Sequence, residues 1–203
     1  MSMVTINQAI IKMLFWMNLT FSRPQTQYIA RFVHGIILSP GKRTVSNIHR
    51  VNLMDRDASC YTRFLKESPW NEQLLQQRRM EWIHQYLLNR KKDIRSVGFL
   101  LVDDTCNPKH PTTSCIEGLD FHYSHSEHQQ VWAHSIVTSH VISQGISFPL
   151  DFRIYRRQSE CDKQGVPFQS KVELATELIQ TCQPVDDRLY VLGDSWYTNE
   201  KVI

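Results

Sequence analysis

Two short apolar runs constrain this chain more than any other feature. Val97-Gly98-Phe99-Leu100-Leu101-Val102 leads into Asp103 and Asp104, and Leu189-Tyr190-Val191-Leu192-Gly193 leads into Asp194. The first run reads as a central strand covered on both faces, because no polar residue interrupts it. Between the two, Ser170 and Glu173 form a capping-box pattern, and Val172, Leu174, Ala175, Leu178, Ile179 and Cys182 then supply one apolar helix face. A helix there permits a right-handed crossover, which predicts that the second run lies parallel to the first. Asp104 and Asp194 would then meet at neighbouring strand ends.

The residues between the first run and that helix also read as strands. Val131 to Ile142 is rich in β-branched side chains, and Ser143-Gln144-Gly145 suits a hairpin. Ile146, Phe148, Leu150, Phe152 and Ile154 then alternate with Ser147, Pro149, Asp151, Arg153 and Tyr155, which predicts a half-buried strand with the five apolar residues on one face. Pro149 cannot donate to a ladder, so this strand belongs at a sheet edge. The order is three strands, a helix and a fourth strand.

Upstream of residue 96 the pattern is helical. Ala9 to Phe21 reads as a packed amphipathic helix, and residues 25–38 place Ile29, Phe32, Val33, Ile36 and Ile37 on one face before Ser39-Pro40-Gly41 stops it. A short helix is expected after Thr44 and another over residues 57–66. Ser68-Pro69 should open a longer one carrying Leu74, Leu75, Trp82, Ile83, Tyr86 and Leu87 on one face. The expected organisation is a helical N-terminal region over residues 1–93 and a mixed α/β domain over residues 94–203.

A chain of 203 residues with 41% apolar and 21% charged side chains can hold a real core and is not disordered or fibrous as a whole. Lys and Arg exceed Asp and Glu by 23 to 20, so attraction to nucleic acid has to come from local clusters rather than a global field. Cys60, Cys106, Cys115, Cys161 and Cys182 form an odd set without a Cys-x-x-Cys pair, which fits a reducing cytoplasm better than a disulfide framework or a zinc ribbon. The apolar stretch near the N-terminus is broken by Lys12 and Asn18 and falls short of the roughly 20 residues a membrane span needs.

Carboxylates at the C-terminal ends of adjacent parallel strands sit where open α/β sheets leave a ligand crevice. Hard oxygen ligands there hold Mg²⁺ or Mn²⁺, and two such ions about 3.5 to 4 Å apart activate the attacking oxygen and stabilise the leaving one in phosphodiester chemistry. An aspartate in that position can equally cap a turn or a helix. The surrounding residues favour the first use. Leu101-Val102-Asp103-Asp104-Thr105, Pro149-Leu150-Asp151-Phe152-Arg153-Ile154-Tyr155 and Val191-Leu192-Gly193-Asp194-Ser195-Trp196-Tyr197 together resemble, in order and spacing, the catalytic domain of DDE transposases from bacterial insertion sequences. Val33-His34-Gly35-Ile36-Ile37 and Phe64-Leu65-Lys66-Glu67-Ser68-Pro69-Trp70 resemble the helical region that precedes it, so the resemblance covers roughly residues 25 to 203.

That resemblance implies a ribonuclease H-like fold, a two-ion site, and cutting and joining of DNA at insertion-sequence ends. It carries the first metal-binding aspartate to Asp104, with Asp103 as the alternative, and the second to Asp194. The family's third ligand is a Glu on a helix well beyond the second aspartate, whereas this chain stops nine residues after Asp194 and offers only Glu200. An incomplete domain, truncated before the third acid and with little or no strand transfer, is therefore expected.

Lys42 and Arg43 at a turn between helices, with Arg50 following, are candidate DNA-phosphate contacts in the manner of a helix-turn-helix module, and an ordinary solvated turn would look the same. Trp196 and Tyr197, beside Asp194, are the aromatic residues with a positional reason to touch DNA. His122, His125 and His128 lie at three-residue steps in an expected loop and lack a cysteine partner, which argues against zinc. Two further readings stay open. One is a DNA-binding or dimerising chain, paired with itself or with an intact transposase, that inhibits without catalysis. The other is an inert remnant whose sheet, lacking a fifth strand, exposes an edge.

Overall fold

The computed structural model describes residues 6–52, 56–69, 71–90, 95–114, 116–124 and 127–197. These form seven helices and a five-stranded mixed sheet, the expected mixed α/β class and consistent with a ribonuclease H-like fold. Contacts divide the chain into two units, Met1–Ile83 and His84–Ile203, with the division inside one helix.

The first unit contains α1 (Gln8–Trp16), α2 (Arg23–Leu38), α3 (Val45–Val51), α4 (Ala58–Glu67) and the beginning of α5 (Glu72–Leu88). Side-chain caps explain where the first four start. Asn7, Ser22, Thr44 and Asp57 each accept a bond from a first-turn amide, and Ser22 with Gln25 completes a reciprocal capping box. Ser68 ends α4, and Pro69 lends its carbonyl to Gln25 Nε2 at 2.5 Å, so α5 opens at Glu72 with Asn71 accepting from Leu74 N rather than at Ser68-Pro69. The core joins Ile10, Leu14 and Met17 to Ile29, Ala30 and Phe64, with the Tyr28 ring stacked on Phe64 at 5.1 Å. The face of α2 differs from the expected one: Ile29, Ala30, His34 and Gly35 are buried, while Ile36 and Ile37 are exposed. Gly35 accounts for the rotation. A Cβ there would lie 2.6 Å from Ile48 Cγ2, so its bare backbone is what admits α3 against this side of α2.

The second unit is built on β1 (Val97–Pro108), β2 (Asp120–Ser124), β3 (Gln129–Ser143), β4 (Ile146–Tyr155) and β5 (Arg188–Gly193), with α6 (Gln158–Gln164) and α7 (Lys171–Gln180) between the last two strands. The path through the sheet is β2-β3-β1-β5, and β4 pairs with β3. β3 is antiparallel to β1, and β5 runs parallel to β1 with Val102 opposite Gly193, as the crossover through α7 requires. Asp187 ties the two strand starts together by accepting from Ser96 N at 2.9 Å.

Three expectations need correction. β1 is central in pairing but covered on one face only: Gly98, Leu100 and Val102 are buried on the side where α7 packs, while Val97 and Phe99 are exposed on the other. His122 lies not in a loop but in β2, which pairs with β3; the strand buries His122 and Ser124 rather than an apolar pattern. The alternation along β4 is broken by a bulge, since His140 pairs with Pro149 whereas Ser139 pairs with Asp151, which leaves Leu150 as the extra residue. One inserted residue inverts every side chain after it. Phe152 and Ile154 are therefore exposed, and Arg153 turns to meet Glu177 of α7 at 3.4 Å. β4 lies at an edge, as Pro149 demands, and Gln144 and Gly145 make the tight turn before it with φ of 51° and 73°. The fifth strand in this sheet is β2; among the described residues β5 pairs only with β1.

Candidate functional site

Pairing of β1 with β5 ends at Val102 and Gly193, and the two acids follow at once: Asp104 two residues on in β1, Asp194 immediately after β5. Both line one cleft of about 880 Å³, together with Asp103, Trp196, the β2 residue His122, Arg157 beyond β4, and Ser170 and Lys171 at the start of α7.

Local chemistry explains the shape of the Gly-Asp-Ser-Trp-Tyr segment. Asp194 Oδ1 accepts from Trp196 N at 2.9 Å and its carbonyl accepts from Tyr197 N at 3.1 Å, a turn of the kind aspartate favours. The turn folds Tyr197 back over β5. A Cβ on Gly193 would press on Tyr197 Cβ at 3.2 Å, so glycine leaves room for the ring. Tyr197 is 3% exposed, and its Oη donates to Asp104 Oδ1 at 3.0 Å.

The other oxygen of Asp104 is also engaged. Lys171 Nζ donates to Asp104 Oδ2 at 2.5 Å, each side chain being 26% exposed. Lys171 is the first residue of a helix whose end is closed by Ser170 and Glu173, with Ser170 N donating to Glu173 Oε2 at 2.7 Å. A cation in a first turn opposes the helix dipole, at a typical cost of about 0.3–1 kcal/mol, which the Asp104 carboxylate offsets here. Asp103 points its Oδ1 to the Asp104 amide at 2.8 Å and remains exposed.

Burial, followed by the neighbouring charge of Asp104, pushes the Tyr197 phenol well above its ordinary range, and Asp103 and Asp194 push the same way. The phenol is thus held as a donor. Burial moves His122 in the opposite sense and keeps its imidazole neutral; Asp120 works against this, and Arg157 and Lys171 reinforce it. The ring meets Tyr155 edge-on at 5.9 Å, and its Nε2 has no hydrogen-bond partner among the described residues.

The residues singled out from sequence fall into three groups. Asp103, Asp104, Asp194 and Trp196 share the cleft, Trp196 being 67% exposed. The Tyr197 ring is enclosed and its hydroxyl is committed to Asp104. Lys42, Arg43 and Arg50 belong to the other unit and are exposed, Arg43 donating to the Gly41 carbonyl at 3.4 Å and Arg50 to Asn47 Oδ1 at 3.0 Å. Glu200, Cys115 and His125 lie outside the described residues. Sequence reasoning missed Lys171, although a lysine set inside a capping box against the helix dipole is a visible anomaly. His134 and His140 have separate partners, the Glu117 carbonyl at 2.8 Å and Ser147 Oγ at 2.6 Å. Among the described residues no group of three or more His, Cys, Asp or Glu is placed to hold a metal ion, and no helix is long and apolar enough to cross a membrane.

A mixed sheet whose parallel β1–β5 pair ends in an acid-lined cleft is consistent with a ribonuclease H-like fold. The chain matches the DDE superfamily endonuclease family over residues 19–202 and belongs to it. No curated protein and no solved structure matches the chain. Membership makes DNA the substrate at the general level, and endonucleases of this superfamily generally use divalent metal ions. The donor set of the cleft suits such an ion in kind, since its acids are hard oxygen ligands in a polar, open setting.

Proposed function

We propose that this chain is a transposase-type endonuclease acting on the ends of an insertion sequence, with Asp104 and Asp194 as its metal-binding carboxylates. The observation that carries the reading is their placement in one cleft at the ends of two parallel strands. Asp104 and Asp194 would hold Mg²⁺ or Mn²⁺, which supplies a polarised phosphate and an activated water or 3′-hydroxyl. Asp103 supports this chiefly by fixing the Asp104 backbone through its amide bond. Trp196, exposed beside Asp194, offers a surface to the DNA strand.

The protein's own groups prepare that chemistry. Tyr197 fixes one oxygen of Asp104, and the α7 N-terminus brings Lys171 to the other. Around the cleft the charged side chains are three acids and two bases, Arg157 and Lys171, so a phosphate meets a net negative wall until a divalent ion is added. Lys42, Arg43 and Arg50 provide a separate set of phosphate contacts that hold DNA without reading sequence.

A second reading, a DNA-binding or dimerising inhibitor without catalysis, is favoured by one feature: both oxygens of Asp104 are already engaged, and no third acid completes a ligand set among the described residues. Incubation of the 203-residue chain with supercoiled DNA and Mn²⁺ separates the two. The endonuclease reading expects nicking that falls by at least about a hundredfold in Asp104→Asn and Asp194→Asn. Nicking that survives both substitutions refutes the site. DNA binding with no nicking in any variant supports the inhibitor.

A further inference from the structure

We propose that Lys171 is a DNA-phosphate contact of the cleft, exchanging its ion pair with Asp104 for a backbone phosphate when DNA and a divalent ion enter. The inference rests on the metal-binding reading of Asp104 and adds to it a residue that nothing in the family match assigns.

Two groups compete for Asp104, and they differ in how easily they can leave. Tyr197 is almost wholly enclosed, is tied through its amide to the Asp194 carbonyl, and packs where Gly193 leaves room, so withdrawing its hydroxyl would unpack the end of β5. Lys171 sits on a flexible four-carbon stem and is a quarter exposed. A second cation approaching Asp104 therefore displaces the ammonium and leaves the phenol in place. The displaced ammonium remains tethered to the first residue of α7 inside the same cleft. Of the other acids in the cleft, Asp103 spends one oxygen on the Asp104 amide, and Asp194 spends one on the Trp196 amide and is committed to the metal by the reading above. The Tyr155 ring lies 5.6 Å away, and the nearest acid on its own helix turn, Glu173, is taken up by the Ser170 amide and hydroxyl. Arg157 and the helix end repel it. An unpaired ammonium in such a setting recruits an anion, and the anion that the reaction itself delivers is the DNA phosphodiester. The exchange is open to Lys171 because its charge sits at the end of a flexible four-carbon stem.

The test is fluorescence anisotropy of the full chain with a short labelled duplex, over a salt series, with and without Ca²⁺, so that cutting does not compete with binding. With Ca²⁺ present, Lys171→Gln should weaken binding several-fold and reduce the slope of log affinity against log salt by about 0.9, the signature of one lost phosphate contact, and Lys171→Arg should restore both. Circular dichroism of each variant confirms that it is folded, and Lys171→Arg supplies the comparison should Lys171→Gln prove unstable. An unchanged slope in folded Lys171→Gln, or an equal loss in Lys171→Arg, assigns the lysine a structural role and overturns the proposal. Failure of the underlying reading looks different: wild-type affinity would be indifferent to Ca²⁺, or its Ca²⁺ response would survive Asp104→Asn, and the proposal would fall with it.

Discussion

Replacing Tyr197 by Phe removes one oxygen and little else, which makes it the sharpest probe of the site's construction. The hydroxyl donates to Asp104 Oδ1 at 3.0 Å from a ring that is 3% exposed. A hydrogen bond to a charged acceptor contributes about 1.5–3 kcal/mol, and relief from burying a hydroxyl returns about 1 kcal/mol, leaving a net loss of about 0.5–2 kcal/mol. The unit carrying the site spans His84–Ile203, for which each kcal/mol corresponds to roughly 3–5 °C, so the melting temperature should fall by roughly 2–10 °C. The pH dependence has a definite sign. Because the folded-state pKa of the phenol is raised, the folded chain holds this proton more tightly than the unfolded chain. Its contribution is therefore complete below the ordinary tyrosine pKa of about 10 and is lost as pH rises beyond it. Thermal melts by circular dichroism at neutral pH and near pH 11 measure both effects, with the wild type losing more stability between them than Tyr197→Phe. Tyr190→Phe is the control, since Tyr190 lies exposed against Phe99. Equal melting temperatures and equal alkaline losses for wild type and Tyr197→Phe would refute the account of Asp104 as a carboxylate held by a buried phenol.

Two further outcomes follow from packing and burial. Gly35→Ala improves helix propensity by about 1 kcal/mol but drives a methyl into Ile48, a crowding that costs about 1–3 kcal/mol, so a lower melting temperature is expected and a higher one would show that α3 can yield. His122 is buried neutral, so its folded pKa lies below its unfolded value and protonation of the unfolded chain costs stability as pH falls below about 6.5. His122→Leu should flatten the loss of stability between neutral pH and pH 5 measured by urea titration, whereas an unchanged acid limb would remove His122 as its source.

The parts of this fold legible in sequence are those set by short-range chemistry and by handedness. Thr44, Asp57 and Ser170 mark helix starts because an exposed hydroxyl or carboxylate before an apolar period has a definite use there. The parallel pairing of β1 and β5 follows from a helix in the intervening segment. What escaped notice depends on pairing partners. β2 buries polar His122 and Ser124 and exposes Phe121 and Tyr123, the reverse of an apolar core pattern, and it is held as a strand by β3 beside it. The bulge at Leu150 leaves the period-two pattern intact in sequence while inverting the strand in space. The single covered face of β1 depends on how few helices pack against the sheet among the described residues. Lys171 and Tyr197 lie 67 and 93 positions from Asp104, so their convergence on it has no local signature.

The site's two supports answer one electrostatic problem. Three carboxylates in a single cleft repel one another before any cation arrives, and a sheet that merely collected them would be strained by that repulsion. Two cationic partners on Asp104 would cancel the negative charge that attracts an incoming ion. A neutral phenol on one oxygen and a tethered ammonium on the other divide the work differently. The phenol adds no charge, so it fixes the orientation of Asp104 without lowering the attraction of the cleft for a divalent cation. The ammonium neutralises one of the three carboxylate charges and, in the exchange proposed above, is the partner that gives way to a divalent ion. Asp194, which lines the same cleft, spends one oxygen on the Trp196 amide, and this sets its direction. Orientation thus comes from buried, uncharged or backbone donors, and charge balance comes from the one partner free to move.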